Sequence, residues 1–176
     1  MESGKAGHLE VLRNAIAMEI EGKAFFEEAA EKVRHQRAKD TFLSLVKQEQ
    51  RHVDILSAEL SRLSAGKNWA SLAEITKRAS TQLQLSVFKD KEIKRIKLRA
   101  DAGELDVLKV GIAVEKKSIE YYRAAGAQTI DHNAREIFNW LVGEEAGHLT
   151  ILNAEYEYRT KSGFYYDNME FSLEVM

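Results

Sequence analysis

The sequence contains no cysteine and no proline. Without thiols there can be no disulfide, no thiolate zinc site, no iron–sulfur cluster and no cysteine nucleophile. With proline absent and only ten glycines among 176 residues, little interrupts the backbone, and long helices are the natural reading. An excess of one charge is missing too: 26 Lys and Arg stand against 28 Asp and Glu, a formal net charge of −2. That balance gives no general attraction to nucleic acid or to an anionic membrane. The basic run KDKEIKRIKLR at 89–99 has apolar residues at helical spacing and reads as a solvated helix face. Nucleic-acid association through it is the weakest function considered. No apolar run approaches a membrane span, and MESGKAGHLE lacks a signal peptide's apolar segment, so the expected location is the cytoplasm.

What is present is a repeat. Shifted by 96 positions, the chain matches itself without a gap: Leu12 falls on Leu108, Glu19 on Glu115, Phe26 on Tyr122, Phe42 on Phe138, Glu49 on Glu145 and His52 on His148. Two helical hairpins are implied, at 6–63 and 102–159, within a single domain spanning 1–176. Helices are expected at about 6–34, 38–63, 103–128 and 131–159, with Asp131 as an N-cap and Gly66 as a helix stop. Two hairpins face to face make an all-α four-helix bundle. The segment 64–101 between them is long enough to cross the bundle and carries two helix-like stretches, SLAEITKRA and SVFKDKEIKRIKL. Such a crossover lets the second and third bundle helices run parallel. The aromatic tail at 160–176 is expected to pack on the bundle or on a partner.

Helical periodicity locates the chemistry. Steps of three and four residues place Leu9, Leu12, Ile16, Glu19, Lys23, Phe26, Ala30 and Val33 on one face of the first helix. Phe42, Leu45, Glu49, His52, Leu56, Glu59 and Leu63 share a face of the second. Leu105, Leu108, Ile112, Glu115, Ile119 and Tyr122 do so on the third, and Phe138, Leu141, Glu145, His148, Leu152 and Glu155 on the fourth. On every stripe a carboxylate replaces a core residue near mid-helix. In two of them a histidine follows three residues later and points the same way.

Four carboxylates buried without partners would cost on the order of several kcal/mol each, together more than the roughly 5–15 kcal/mol that stabilises a domain. Either they protonate or cations offset them. Two divalent ions balance four carboxylates. Oxidation to two trivalent ions would add two charges, which an oxide or hydroxide bridge offsets. Carboxylate with imidazole suits iron or manganese, and zinc also accepts it. Glu144, next to Glu145 but off the stripe, is expected to be exposed.

The segments AIAMEIEGKAFFEEAA, FLSLVKQEQRHVDIL, GIAVEKKSIEYYRAA and FNWLVGEEAGHLTIL resemble the ferritin-like diiron carboxylate superfamily, and rubrerythrins most closely. That resemblance implies a ferritin-like four-helix bundle holding two irons. Glu19 and Glu115 would be terminal or flexible ligands, Glu49 and Glu145 would bridge, and His52 and His148 would each take one iron. Tyr122 would either stand behind a ligand or pack as a core aromatic matched to Phe26. Two departures matter. Rubrerythrins typically carry a rubredoxin domain with four cysteines, and this sequence has none. They also resemble one another in a further Glu three residues after the third-helix ligand, where this chain has Ser118.

The leading expectation is a redox enzyme of the kind used against oxidative stress. It would reduce hydrogen peroxide or dioxygen with electrons from an external donor, one candidate class being rubredoxin-like. The alternatives are ferroxidase activity with iron storage or delivery, and a metal that only staples the bundle. The resemblance and the aromatic tail favour a homodimer.

Overall fold

A three-residue turn separates the first two helices, and its backbone is tied down from a distance. In the computed structural model, which describes residues 2–79, 96, 98 and 102–160, helix α1 spans Glu2–Lys32 and α2 spans Gln36–Ser64. The Glu104 carboxylate accepts the backbone N–H groups of Arg34 and His35 and pairs with Arg159 at 3.1 Å. Glu104 opens α4 (Glu104–Gln128), so the start of α4 lies against the end of α1. At the other end of the bundle the Tyr121 hydroxyl donates to the Val11 carbonyl at 2.8 Å. Helices α1 and α4 are therefore antiparallel. Since α2 reverses α1, α2 and α4 run parallel, as a long crossover demands.

Local chemistry sets the helix ends. Helix α2 closes in a Schellman arrangement: Lys67 N–H donates to Arg62 O, Gly66 N–H donates to Leu63 O, and Gly66 takes φ 81°, which a side chain would strain. Helix α5 (His132–Thr160) starts where Asp131 Oδ1 accepts the Ala134 N–H at 3.0 Å, the expected N-cap. The short helix α3 (Leu72–Ala79) takes up the SLAEITKRA stretch, with Ser71 Oγ accepting the Glu74 N–H. Before it, Trp69 and Ala70 are buried: Ala70 N–H donates to Glu59, and Asn133 donates to the Trp69 carbonyl. Most of the second crossover stretch and of the basic run, and the tail beyond Thr160, lie outside the described residues.

Two apolar clusters fill the bundle. One holds Leu12, Ile16, Leu56, Tyr122, Phe138 and Leu141, and the other Phe25, Phe26, Phe42, Leu45, Leu108 and Leu152. On each of the four long helices the residues between the clusters are the carboxylates and histidines of the stripes, so one polar layer divides the core.

The expected faces hold with two exceptions. Lys23 is partly exposed and pairs outward with Glu27, as its stem allows. Leu105, expected in the core, is 36% exposed. Helix α4 buries Val107 beside the expected Leu108, and at Gly111 it packs so closely on Phe25, Phe26 and Leu152 that a Cβ there would lie 3.3–3.4 Å from them. The four long helices begin and end within about four residues of the expected limits, and α1 starts earlier, at Glu2. Among the described residues no helix is long and apolar enough to cross a membrane.

Candidate metal centre

Each helix delivers its part of the polar layer for the reason its stripe exists: the side chain faces the core because its neighbours three and four residues away do. Glu19 comes from α1, Glu49 and His52 from α2, Glu115 from α4, and Glu145 and His148 from α5. All six are at most 2% exposed. They converge as two overlapping groups, Glu19, Glu49, His52 and Glu145 in one and Glu49, Glu115, Glu145 and His148 in the other. Within each group, one ligand atom per residue lies within 4.8 Å of the others. Glu49 and Glu145 belong to both.

Both imidazoles turn Nδ1 inward. His52 Nδ1 lies 3.1 Å from Glu145, 3.3 Å from Glu19 and 3.9 Å from Glu49. His148 Nδ1 lies 3.1 Å from Glu49, 3.4 Å from Glu145 and 3.5 Å from Glu115. The two rings stack at 5.5 Å with 19° between their planes. Tyr122, fully buried, donates its phenol to Glu19 Oε1. It occupies both of the places expected for it, as a core aromatic stacked on Phe138 and as the group behind a carboxylate.

The electrostatics of this layer are those of a site built around cations. No Lys or Arg among the described residues pairs with Glu19, Glu49, Glu115 or Glu145. Burial, with Glu145 adding its charge, pushes the Glu115 carboxyl up to about 9. Burial also raises Glu49 well above the carboxylate range, with the charges of Glu19 and Glu145 adding to it. Burial opposes charge on His148, yet Glu115, Glu145 and Glu49 hold it up to about 12. His52 is raised likewise against its burial by Glu144, Glu145 and Glu19. Burial alone would raise Glu145, but both imidazoles outweigh it and keep the carboxyl below the usual range. Tyr122 is pushed well above the phenol range by burial and then by Glu19 and Glu145, so it stays a donor. Protons thus offset the layer's negative charge when metal does not.

The donor set fits a metal centre on a further observation. Glu49 Oε1, Glu115 Oε1, both Glu145 oxygens, His148 Nδ1 and His52 Nε2 are buried, and the close ion-pair approaches among them lack hydrogen-bond geometry. Buried polar atoms almost always have partners, and metal ions supply them for such oxygen and nitrogen donors.

Three participants escaped the sequence reading. Gln48 Oε1 faces His148 Nε2 at 3.2 Å. Glu144, expected to be exposed, is only partly so, at 29%, and its carboxylate faces His52 Nε2 at 3.8 Å and Arg51 at 3.9 Å. Trp140 meets the His52 ring edge-on at 5.8 Å. None lies on a core stripe, and each acts across a helix pair, so a single-helix pattern carries no signal for them. Ser118 is buried, but its hydroxyl turns to the Val114 carbonyl and it offers no carboxylate to the layer.

Four long helices in this order, with Glu and Glu-x-x-His donors converging at mid-bundle, define a ferritin-like carboxylate protein. The rubrerythrin family model matches residues 10–156, and the chain belongs to that family. No curated protein matches the chain. Among solved structures it is similar to a two-domain protein of Anabaena variabilis containing DJ-1/ThiJ/PfpI-like and ferritin-like domains. The TM-score is 0.64 at 17% identity, a likeness of fold. The match covers 88% of this chain and 40% of that one.

Proposed function

We propose that the chain is a non-haem diiron redox protein that reduces hydrogen peroxide or dioxygen with electrons from an external donor. The observation that carries this reading is the sharing of Glu49 and Glu145 between two donor groups. Two ions held by such groups would lie side by side and could act together in a two-electron reaction. When bound, a ferrous pair supplies two electrons, which with two protons convert one hydrogen peroxide to two water molecules.

The residues have distinct tasks in this reading. Glu49 and Glu145 would be shared by the two ions, Glu19 and Glu115 would each serve one, and His52 and His148 would offer the inward Nδ1. The Tyr122 phenol holds Glu19 in place. The apolar clusters on both sides of the layer exclude bulk water and competing ligands. Manganese suits the same donors. The electrons come from a donor outside this site, a rubredoxin-like one-electron carrier being one candidate class.

Anaerobic stopped-flow mixing of the ferrous-loaded protein with peroxide or dioxygen tests the proposal. The reading requires oxidation by at least one of them to outpace that of free ferrous ion. Failure of both to oxidise the protein over minutes would refute it.

A further inference from the structure

Trp140 has no task in holding the metal layer together and no counterpart in the repeat: the position matched to it is Ser44. Yet its indole sets an edge against the His52 ring, with centroids 5.8 Å apart and planes at 83°. Trp140 is half-buried, so it spans from a fully buried imidazole to the surface. Arg51, itself 43% exposed, lies over the indole at 5.7 Å. His52 in turn stacks on His148 at 5.5 Å. A single ring therefore connects the surface with the imidazoles of both donor groups. Elsewhere the layer is insulated. Apolar clusters close it on both sides, and the amide of Gln48 stands behind His148. Another aromatic path runs from Tyr121 to Tyr122, with centroids 5.7 Å apart, but it takes two rings and ends on the carboxylate of Glu19.

We propose, resting on the diiron reading, that electrons from a one-electron carrier enter the site through Trp140 and His52. Electron tunnelling weakens steeply with distance and with every gap across empty space, and rings in contact shorten both. The carrier loses one electron and one ferric ion becomes ferrous; two such transfers restore the ferrous pair. No bond forms or breaks at Trp140. The Arg51 cation over the ring disfavours its oxidation, so the ring transmits the electron without becoming a radical. Trp140 acts through His52 and touches no ion. The chain's part is to place the relay, and the accepting orbital is the metal's.

Because the sequence has no cysteine, one introduced thiol can carry a ruthenium–bipyridine photoreductant at a chosen place. One label sits at Glu136→Cys, an exposed position one turn before Trp140 on α5. The other sits at Lys116→Cys, an exposed position next to the ligand Glu115 in sequence. In the ferric-loaded, oxygen-free protein a flash injects one electron, and the loss of ferric absorption times its arrival. Reduction from position 136 should outpace reduction from 116, although 116 adjoins a ligand. Trp140→Leu should slow the first by an order of magnitude or more and leave the second unchanged. Trp140→Phe, which keeps a ring against His52, should slow it less, and Tyr121→Leu should change neither. The visible spectrum of each variant loaded with Co2+ reads ligand geometry without any electron transfer and should match that of the parent. Equal effects of Trp140→Leu on both labels, or no effect on either, would overturn the inference and leave the diiron reading intact. So would an altered Co2+ spectrum in both Trp140 variants, because the ring would then only hold His52 in place. A native protein that takes up neither iron nor Co2+ would overturn both.

Discussion

Raising the pH of the metal-stripped protein should destabilise it, in a direction and amount set by the buried layer. Glu115 has a folded pKa near 9 against an ordinary 4.5, and His148 near 12 against 6.5. Both are raised, so the folded state binds protons more tightly than the unfolded chain. The stability contributed by protonated His148 is complete below about 6.5 and is lost as pH rises toward 12. Protonated Glu115 behaves the same way from about 4.5 toward 9. Glu145 is shifted the opposite way, so its contribution is already complete above the ordinary carboxylate range and does not change at neutral pH. Between pH 6.5 and 8.5 these two groups therefore act in one direction, and Glu49 and His52, raised as well, act with them. Because all four interact, we count a single proton for the layer as a minimum, about 1.4 kcal/mol per pH unit. Two pH units then cost about 3 kcal/mol, a fall in Tm of about 6–12 °C for a domain of this size. Scanning calorimetry of the stripped protein at the two pH values measures it. In the loaded protein metal takes the place of those protons, so the loss should disappear and loading at pH 7 should release protons. A stripped protein whose Tm is unchanged or higher at pH 8.5 would refute the reasoning.

Further substitutions probe the rest of the account. Phe42→Ala removes a fully buried ring from one apolar cluster and should cost about 3–5 kcal/mol in chemical denaturation, far more than a surface change. Gly66→Ala puts a side chain at φ 81° and should cost about 1 kcal/mol, read as a lower denaturation midpoint with an unchanged slope. Asp131→Ala removes the acceptor for the Ala134 N–H and should cost about 1 kcal/mol, with faster amide exchange confined to the first turn of α5. Glu49→Ala strips a donor shared by both groups and should lower iron content more than Glu115→Ala, which touches one group; plasma emission spectrometry of the purified variants compares them.

Periodicity carried much of this architecture because burial is itself periodic. A carboxylate at position 19, 49, 115 or 145 stands out only because the residues a turn away on either side are apolar, and those same neighbours turn it inward. The repeat added the pairing of hairpins, and cap chemistry at Asp131 and Gly66 marked two helix boundaries. What stayed hidden depends on the register between helices. Glu144 lies beside the α5 stripe, and only the approach of α2 brings His52 to it. Tyr122 reads as a core aromatic until the antiparallel setting of α1 and α4 puts its hydroxyl on Glu19. Leu105, at the first turn of α4, is exposed although its stripe partner Leu108 is buried, because the buried face there also takes in Val107 and Gly111, which the stripe does not contain.

That Glu19, Glu49, His52, Glu115, Glu145 and His148 together hold two adjacent metal ions is tested most directly by diffraction at the iron absorption edge, on crystals of protein loaded with ferrous iron under anaerobic conditions. The account predicts two anomalous peaks per chain. One should lie among Glu19, Glu49, His52 and Glu145, and the other among Glu49, Glu115, Glu145 and His148. A single peak, or iron found only outside this layer, would contradict it.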